Sequence, residues 1–234
     1  MNAHLLSSLP DPQALPDTFA LERALSAQGF SRVAGVDEAG RGPLAGPVVA
    51  SCVILQPEQQ TELFFDSKIL TARKRDQLFA VLHESPAAIG VGMADAREIE
   101  TLNILQASLL AMRRAVADCQ NNFGGAAPDF LLVDGKFKIS LATSQLALIK
   151  GESKSASIAA ASIVAKVTRD RLMAQAHERF PVYGFDRHQG YPTKAHREAL
   201  RRYGPCELHR RTFRGVTELL HPESSTSPSQ GGLW

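Results

Sequence analysis

Apolar positions along the chain fall into two rhythms. Val33-Ala34-Gly35-Val36 and Val48 to Leu55 are short apolar or β-branched runs separated by a Gly/Pro-rich stretch, which predicts two buried strands joined as a hairpin. Ala88 to Met93 predicts a third, short strand. Phe130 to Val133 predicts a fourth, ending in acid at Asp134, and Ala147 to Lys150 a further one. Elsewhere the period changes. Leu105, Leu109, Met112 and Val116 recur at helical spacing, so a helix is expected from about Ile104 to Cys119. A second long helix is predicted from about Ser155 to Arg179, opened by Ser153 or Ser155 and closed before Pro181. Its first half, SIAAASIVA, is so small and apolar that it must pack closely against something. Shorter helices fit Thr18 to Gln28, with Gly29 as a stop, and Thr193 to Arg202. Strands first, then alternating helix and strand, indicate an α/β or α+β sheet with helices packed on it.

The chain has 234 residues, 44% of them hydrophobic, enough for one globular domain with a substantial core. The expected organisation is an N-terminal extension over 1–29 and a main domain over 30–218, whose last part (about 185–218) is a small, basic helical region. A tail over 219–234, rich in Ser, Pro, Gly and Gln, is expected to be disordered. No apolar run approaches the roughly 20 residues that span a bilayer, and Met1 to Pro16 lack the basic and apolar regions of a signal peptide. Cys52, Cys119 and Cys206 are odd in number and far apart. They fit neither a disulfide framework nor a zinc cluster, so a reducing cytoplasm is expected; a single self-contained domain makes a monomer the default.

The net charge of +2 hides an asymmetry. Between 187 and 214, eight Lys/Arg stand against only Glu198 and Glu207, with three histidines besides. Such a segment fits a polyanionic partner, and equally an ordinary solvated helix face. Acids gather elsewhere. Asp37 and Glu38 close the first apolar run and are followed at once by Ala39-Gly40-Arg41-Gly42-Pro43. Neighbours on a regular strand point to opposite faces, so for both acids to serve one site the backbone must leave the strand there, as Gly40 and Gly42 permit. Backbone N–H groups in such a turn can form an anion nest, with Arg41 adding charge. A solvated hairpin turn has the same composition. The turn is neither a dinucleotide fingerprint, because a strand and not a helix follows, nor a Walker A loop. Asp134, before Gly135, repeats the context of Asp37, although a lone strand-end Asp is also a common turn former. Glu152, in Lys150-Gly151-Glu152-Ser153, adds a fourth carboxylate at the entrance of the small-residue helix. Four carboxylates together would repel and raise one another's pKa, a conflict that two divalent cations remove. Hard oxygen ligands suit Mg²⁺ or Mn²⁺, and two ions roughly 3.5–4 Å apart can stabilise an in-line displacement at phosphorus.

The runs GVDEAGRGPLAGPV, DSK (Asp66 to Lys68), LNIL, VDG, KGESKSASIAAASIVAKVTRD, YGF…HQGYPTKAH and HRRTF occur in this order between about residues 30 and 215. Together they resemble the prokaryotic ribonuclease HII family. The resemblance implies an RNase H-like fold, with a central five-stranded mixed sheet flanked by helices and a small helical C-terminal region. It implies an endonuclease that hydrolyses the RNA strand of RNA–DNA hybrids and cuts 5′ to ribonucleotides in duplex DNA, leaving 3′-OH and 5′-phosphate ends. Such an enzyme removes ribonucleotides and RNA primers from DNA. Asp37, Glu38 and Asp134 would ligate the catalytic ions. Gly40-Arg41-Gly42 would recognise the ribonucleotide's 2′-hydroxyl, and Tyr191 would pack on that ribose. Lys68, Arg210 and Arg211 are expected to contact phosphates.

One position departs from the family pattern. Where an Asp usually follows Lys-Gly, Glu152 stands here, with the same charge on a longer arm. Activity is expected to persist, with an altered preference between Mg²⁺ and Mn²⁺. Asp170 is placed outside the site, because it lies roughly 27 Å from Glu152 along a continuous helix. Gln230 to Trp234 loosely resembles peptides that bind bacterial sliding clamps, against the plainer reading of a disordered end. Rival readings are another two-metal nuclease of this fold, which the GRG turn and Tyr191 oppose, and a nucleic-acid-binding protein without catalysis, which the intact Asp37, Glu38 and Asp134 oppose.

Overall fold

The computed structural model describes residues 9–11, 15, 17–56 and 70–221. The expected hairpin is β1 (Val33–Ala39) and β2 (Val48–Ile54), paired antiparallel from Ala34↔Ile54 to Ala39↔Val49. With β3 (Ala88–Ala94), β4 (Phe130–Asp134) and β5 (Ser144–Leu148) they form one five-stranded sheet in the order β3-β2-β1-β4-β5. β3 joins antiparallel, β4 and β5 parallel, so the sheet is mixed, as expected. The fifth strand lies a few residues earlier than the run Ala147 to Lys150 indicated. Lys150 instead takes a left-handed conformation (φ 58°) and opens a 3₁₀ turn over Gly151–Ser153.

Helices cover both faces, which is why every residue of β2 is buried. On one side α4 (Ile104–Asn122) sets Ala107, Ala111 and Ala115 against Ala34, Val36 and Cys52. On the other, α5 (Ala156–Arg179) and α2 (Ala72–Glu84) pack Ala159, Ile163, Leu78 and Leu82 against Val53. The small residues of α5 meet glycine on the strand. A Cβ at Gly35 would lie 2.0 Å from the carbonyl carbon of Ser157 and 2.2 Å from the nitrogen of Ile158. Backbone cannot yield as a side chain can, so Gly35→Ala is expected to cost about 3 kcal/mol of stability in urea unfolding. A loss below about 0.5 kcal/mol would show that strand and helix can separate at no cost.

The sequence reading did not predict α2 or α3 (Ala96–Leu102). The first is capped by Thr71, whose hydroxyl accepts from the Lys74 N–H, and carries Leu78 and Leu82 at helical spacing. The second opens on a capping box between Asp95 and Glu98. At the N-terminus α1 (Ala20–Ala27) follows Phe19. Beyond α5 come a 3₁₀ turn (Pro181–Tyr183), α6 (Phe185–His188), α7 (Lys194–Tyr203) and α8 (Thr217–Leu220). These gather with the turn after β1 around a separate cluster of Leu44, Met173, Phe185, Leu200 and Val216. None of the described helices is long and apolar enough to cross a membrane.

Candidate active site

β1 and β4 run parallel with Val36 opposite Val133, so Asp37 and Asp134 stand side by side where both strands end. Contrary to expectation, the strand does not break between the two acids. Asp37 and Glu38 stay paired with Ser51 and Ala50, and the chain turns only at Gly40 (φ 94°). Their side chains therefore leave opposite faces, yet near the C-terminal end of this central strand both line one cleft with Asp134, Glu152 and Tyr191. Glu152 arrives from the 3₁₀ turn. The Gly151 N–H donates to Asp134 Oδ1 at 2.7 Å, and a Cβ at Gly151 would come within 2.6 Å of Ile158 and 3.1 Å of that oxygen.

The four carboxylates disturb one another. Asp37 is 4% exposed, and burial, then the charges of Glu38, Asp134 and Glu152, hold its carboxyl well above the usual range. Burial raises Glu38 too, while Arg41 pulls it back through a 3.2 Å contact with Oε1. Glu38 Oε2 is buried and meets no hydrogen-bond donor among the described residues. Asp37 Oδ1 accepts from the Glu38 N–H at 2.7 Å, and Glu152 Oε2 from the Ser162 hydroxyl at 3.0 Å. In this arrangement no three His, Cys, Asp or Glu side chains among the described residues already converge closely enough to cage an ion.

Behind the turn lie two buried guanidinium groups. Arg210 donates to the carbonyls of Gly40 (2.6 Å), Arg41 (2.9 Å) and Gly46 (3.0 Å). Arg169 donates to those of Pro47 (2.9 Å), Gln189 (2.9 Å) and Ala45 (3.1 Å). Burial lowers the pKa of Arg169 to about 10; burial and the neighbouring Arg169 lower that of Arg210 to about 9. No described peptide is cis. With the Gly40 and Arg41 carbonyls drawn inward, the N–H groups of Arg41 and Gly42 point the opposite way, away from the guanidinium. Gly40 cannot carry a side chain here, since a Cβ would lie 2.0 Å from Arg169 Nε.

The expectation that Arg210 grips a phosphate is therefore corrected. Its side chain is 0% exposed and spent on backbone carbonyls. Arg211 is exposed, with its N–H bonded to Glu100. Lys68 and the segment Gln230 to Trp234 lie outside the described residues. Tyr191 stands at the cleft 40% exposed, near Gly42, with Lys166 Nζ 5.9 Å and the Arg169 guanidinium 6.0 Å from its ring centre. Asp170 pairs with Lys166 at 2.7 Å on an unbroken α5, outside the cleft lining, as expected. Sequence reasoning missed Ser162, Lys166 and Arg169. Their spacing of four and then three residues, running on from the small apolar first half of the helix, was the available signal. It missed Arg75 as well, which lines the cleft from the unpredicted α2. From Gly42 a second, larger groove of about 690 Å³ continues past Pro192 to Arg197, Arg201 and Arg214.

Residues 34–216 match the family model for ribonuclease HII. Ribonuclease HII of Desulfotalea psychrophila is 56% identical over 216 residues, covering 92% of this chain and 93% of the relative. That of Syntrophotalea carbinolica is 50% identical, covering 92% of this chain and all of the relative. Among solved structures, ribonuclease H2 from Pyrococcus horikoshii superposes with a TM-score of 0.68 at 25% identity, covering 83% of this chain and 99% of its own. A match of this extent to both sequence and fold establishes that the chain belongs to the ribonuclease HII family, endoribonucleases that act on RNA–DNA hybrids.

Proposed function

We propose that Asp37, Glu38, Asp134 and Glu152 hold two divalent cations, Mg²⁺ or Mn²⁺. With them the chain cuts RNA in RNA–DNA hybrids, and also cuts on the 5′ side of a ribonucleotide embedded in duplex DNA. The observation that carries this reading is electrostatic. Four acids from β1, β4 and the 3₁₀ turn share one cleft, the other three raising the cost of ionising Asp37, and a buried Glu38 oxygen has no donor among the described residues. Hard oxygen donors in mutual repulsion are the set a small divalent cation relieves. Bound there, the cations would supply a water nucleophile at neutral pH and neutralise charge building on the phosphate and the leaving 3′ oxygen.

The chain's own residues do the rest. The outward N–H groups of Arg41 and Gly42 offer donors to the ribose 2′-hydroxyl, the one group that separates RNA from DNA at a single nucleotide. The Tyr191 ring packs beside that ribose and measures its position. Lys166 and Arg75 line the same cleft and bring positive charge to the substrate backbone. Arg197, Arg201 and Arg214 extend the basic path along the duplex, with Arg211 a further phosphate contact. Residues 30–218 then act as one catalytic unit whose basic part, 185–218, holds the nucleic acid. A sliding-clamp contact through Gln230 to Trp234 rests on that tail's sequence alone.

The test is cleavage of a labelled DNA duplex carrying one ribonucleotide, beside an all-DNA duplex, in Mg²⁺, Mn²⁺ and chelator. A single cut 5′ to the ribonucleotide, absent from the DNA control and the chelator, is expected. Tight binding without cutting in either metal would favour a catalytically silent binder. Glu152→Asp probes the departure from the family pattern. The shorter arm gives up the Ser162 contact, and the ratio of Mg²⁺- to Mn²⁺-supported rates is expected to shift roughly three- to tenfold. An unchanged ratio and rate would make the longer arm neutral.

A further inference from the structure

We infer that three buried histidines, His188, His196 and His209, are positioning residues for Tyr191, with a hydrogen-bonded pair, His209 and His196, holding its carbonyl and His188, stacked on His196, holding the preceding Gly190 N–H. The inference rests on the role proposed above for Tyr191.

Hydrogen-bond directions fix the pair. The Cys206 N–H donates to His209 Nδ1 at 3.0 Å, so that nitrogen is an acceptor and the ring's proton sits on Nε2. His209 Nε2 faces His196 Nε2 at 3.1 Å, where one nitrogen must donate and the other accept. His196 therefore accepts there and carries its own proton on Nδ1, which lies 2.9 Å from the Tyr191 carbonyl and donates to it. His188 serves the other side of the same turn. The Gly190 N–H donates to its Nδ1 at 3.2 Å, and its Nε2 donates to the Tyr183 carbonyl at 2.9 Å. Its ring stacks on His196 with centres 4.5 Å apart and planes 16° from parallel. The Gly190 carbonyl accepts from the Leu44 N–H at 2.8 Å, which fastens the turn beside the GRG segment.

Ordinary core histidines satisfy themselves on whatever is near. Here the imidazoles hold the Gly190 N–H and the Tyr191 carbonyl, while the Tyr191 ring itself stays half-exposed at the cleft. All three histidines are buried, so the rings and not bulk solvent satisfy these backbone groups. Burial, with the neighbouring His196, lowers the pKa of His209 to about 4, and burial lowers that of His196 as well, which favours the neutral form of these two rings.

The test is a double-mutant cycle on the full chain, reading kcat and KM on the single-ribonucleotide duplex with thermal melting alongside. His196→Ala is expected to lower kcat about tenfold, with His196→Asn recovering most of the rate because its amide keeps a donor near the Nδ1 position. Placed in a Tyr191→Ala chain, His196→Ala should cost melting temperature but no further activity. Equal losses with and without the tyrosine would overturn the inference, leaving the histidines a merely structural role. Tyr191→Ala that cuts as fast as the parent would instead overturn the role of Tyr191. Should His196→Ala fail to fold, His209→Gln, which keeps a donor toward His196, is compared with His209→Leu, which does not. Equal rates for those two variants would overturn the His209–His196 link, and a faster Gln variant would support it.

Discussion

Asp134→Asn is expected to give a folded protein that no longer cuts at a ribonucleotide. Asparagine keeps the Oδ1 acceptor that receives the Gly151 N–H at 2.7 Å, so the turn carrying Glu152 stays in place. What goes is one negative charge and a hard ligand. Losing several kcal/mol of charge stabilisation in the transition state, at tenfold per 1.36 kcal/mol, predicts a fall of about 10³-fold or more in single-turnover rate. Stability should move the other way. Asp134 helps raise the carboxyls of Asp37 and Glu38, so the neutral variant, melted in chelator, should be as stable as the parent or more so. The pH sign follows. A carboxyl whose folded pKa is raised stabilises the fold below the ordinary carboxylate range, and that contribution is lost as pH climbs through the raised value. In chelator the parent's melting temperature should therefore drop as pH rises from about 4 toward neutrality, and drop less in Asp134→Asn. Cutting within tenfold of the parent would remove Asp134 from the metal set.

The contrast between acids and arginines shows what a sequence displays. Asp37, Glu38, Asp134 and Glu152 were legible because each sits at a boundary that pattern alone marks: the end of an apolar run, or the door of a small-residue helix. A five-stranded mixed sheet followed from the family resemblance and the hairpin from the Gly/Pro-rich turn, whereas the order β3-β2-β1-β4-β5 came only with the structure. Burial of a charged side chain leaves no such mark. Arg210 and Arg211 are adjacent and chemically identical, yet one is enclosed and the other exposed. That difference arises from the turn after β1 passing over Arg210, a contact across 170 positions of chain. Arg169 and Lys166 were hidden for a similar reason. The small, apolar first half of α5 reads as a buried helix, and which of the polar positions that follow face a cleft depends on what packs against it. The missed α2 had too weak an apolar face to stand out, with Leu78 and Leu82 its only buried residues.

Arg210→Ala is expected to be the most damaging substitution outside the four acids. The guanidinium satisfies three carbonyls from one rigid fork, and the enclosed site gives water no easy route to replace it. Leaving those acceptors unpaired at about 1–3 kcal/mol each, while relieving repulsion from Arg169, predicts a net loss of roughly 3–5 kcal/mol in urea unfolding. Arg210→Lys separates stability from function. One ammonium cannot reach the Gly40, Arg41 and Gly46 carbonyls together, so the fold is expected to survive while the N–H groups of Arg41 and Gly42 lose their aim. A misplacement of about 1 Å at a reacting centre costs on the order of 10²-fold, and a kcat loss of that size is expected with modest change in duplex affinity. Arg211→Ala should behave in the opposite way, keeping kcat, weakening binding and flattening its salt dependence by about one phosphate contact. If Arg210→Ala instead kept parental stability and showed the salt signature expected of Arg211→Ala, the buried fork would be an incorrect placement and the phosphate contact would be restored. If Arg210→Lys retained parental kcat, the inward pull on the Gly40 and Arg41 carbonyls would be irrelevant to how the turn meets a ribose.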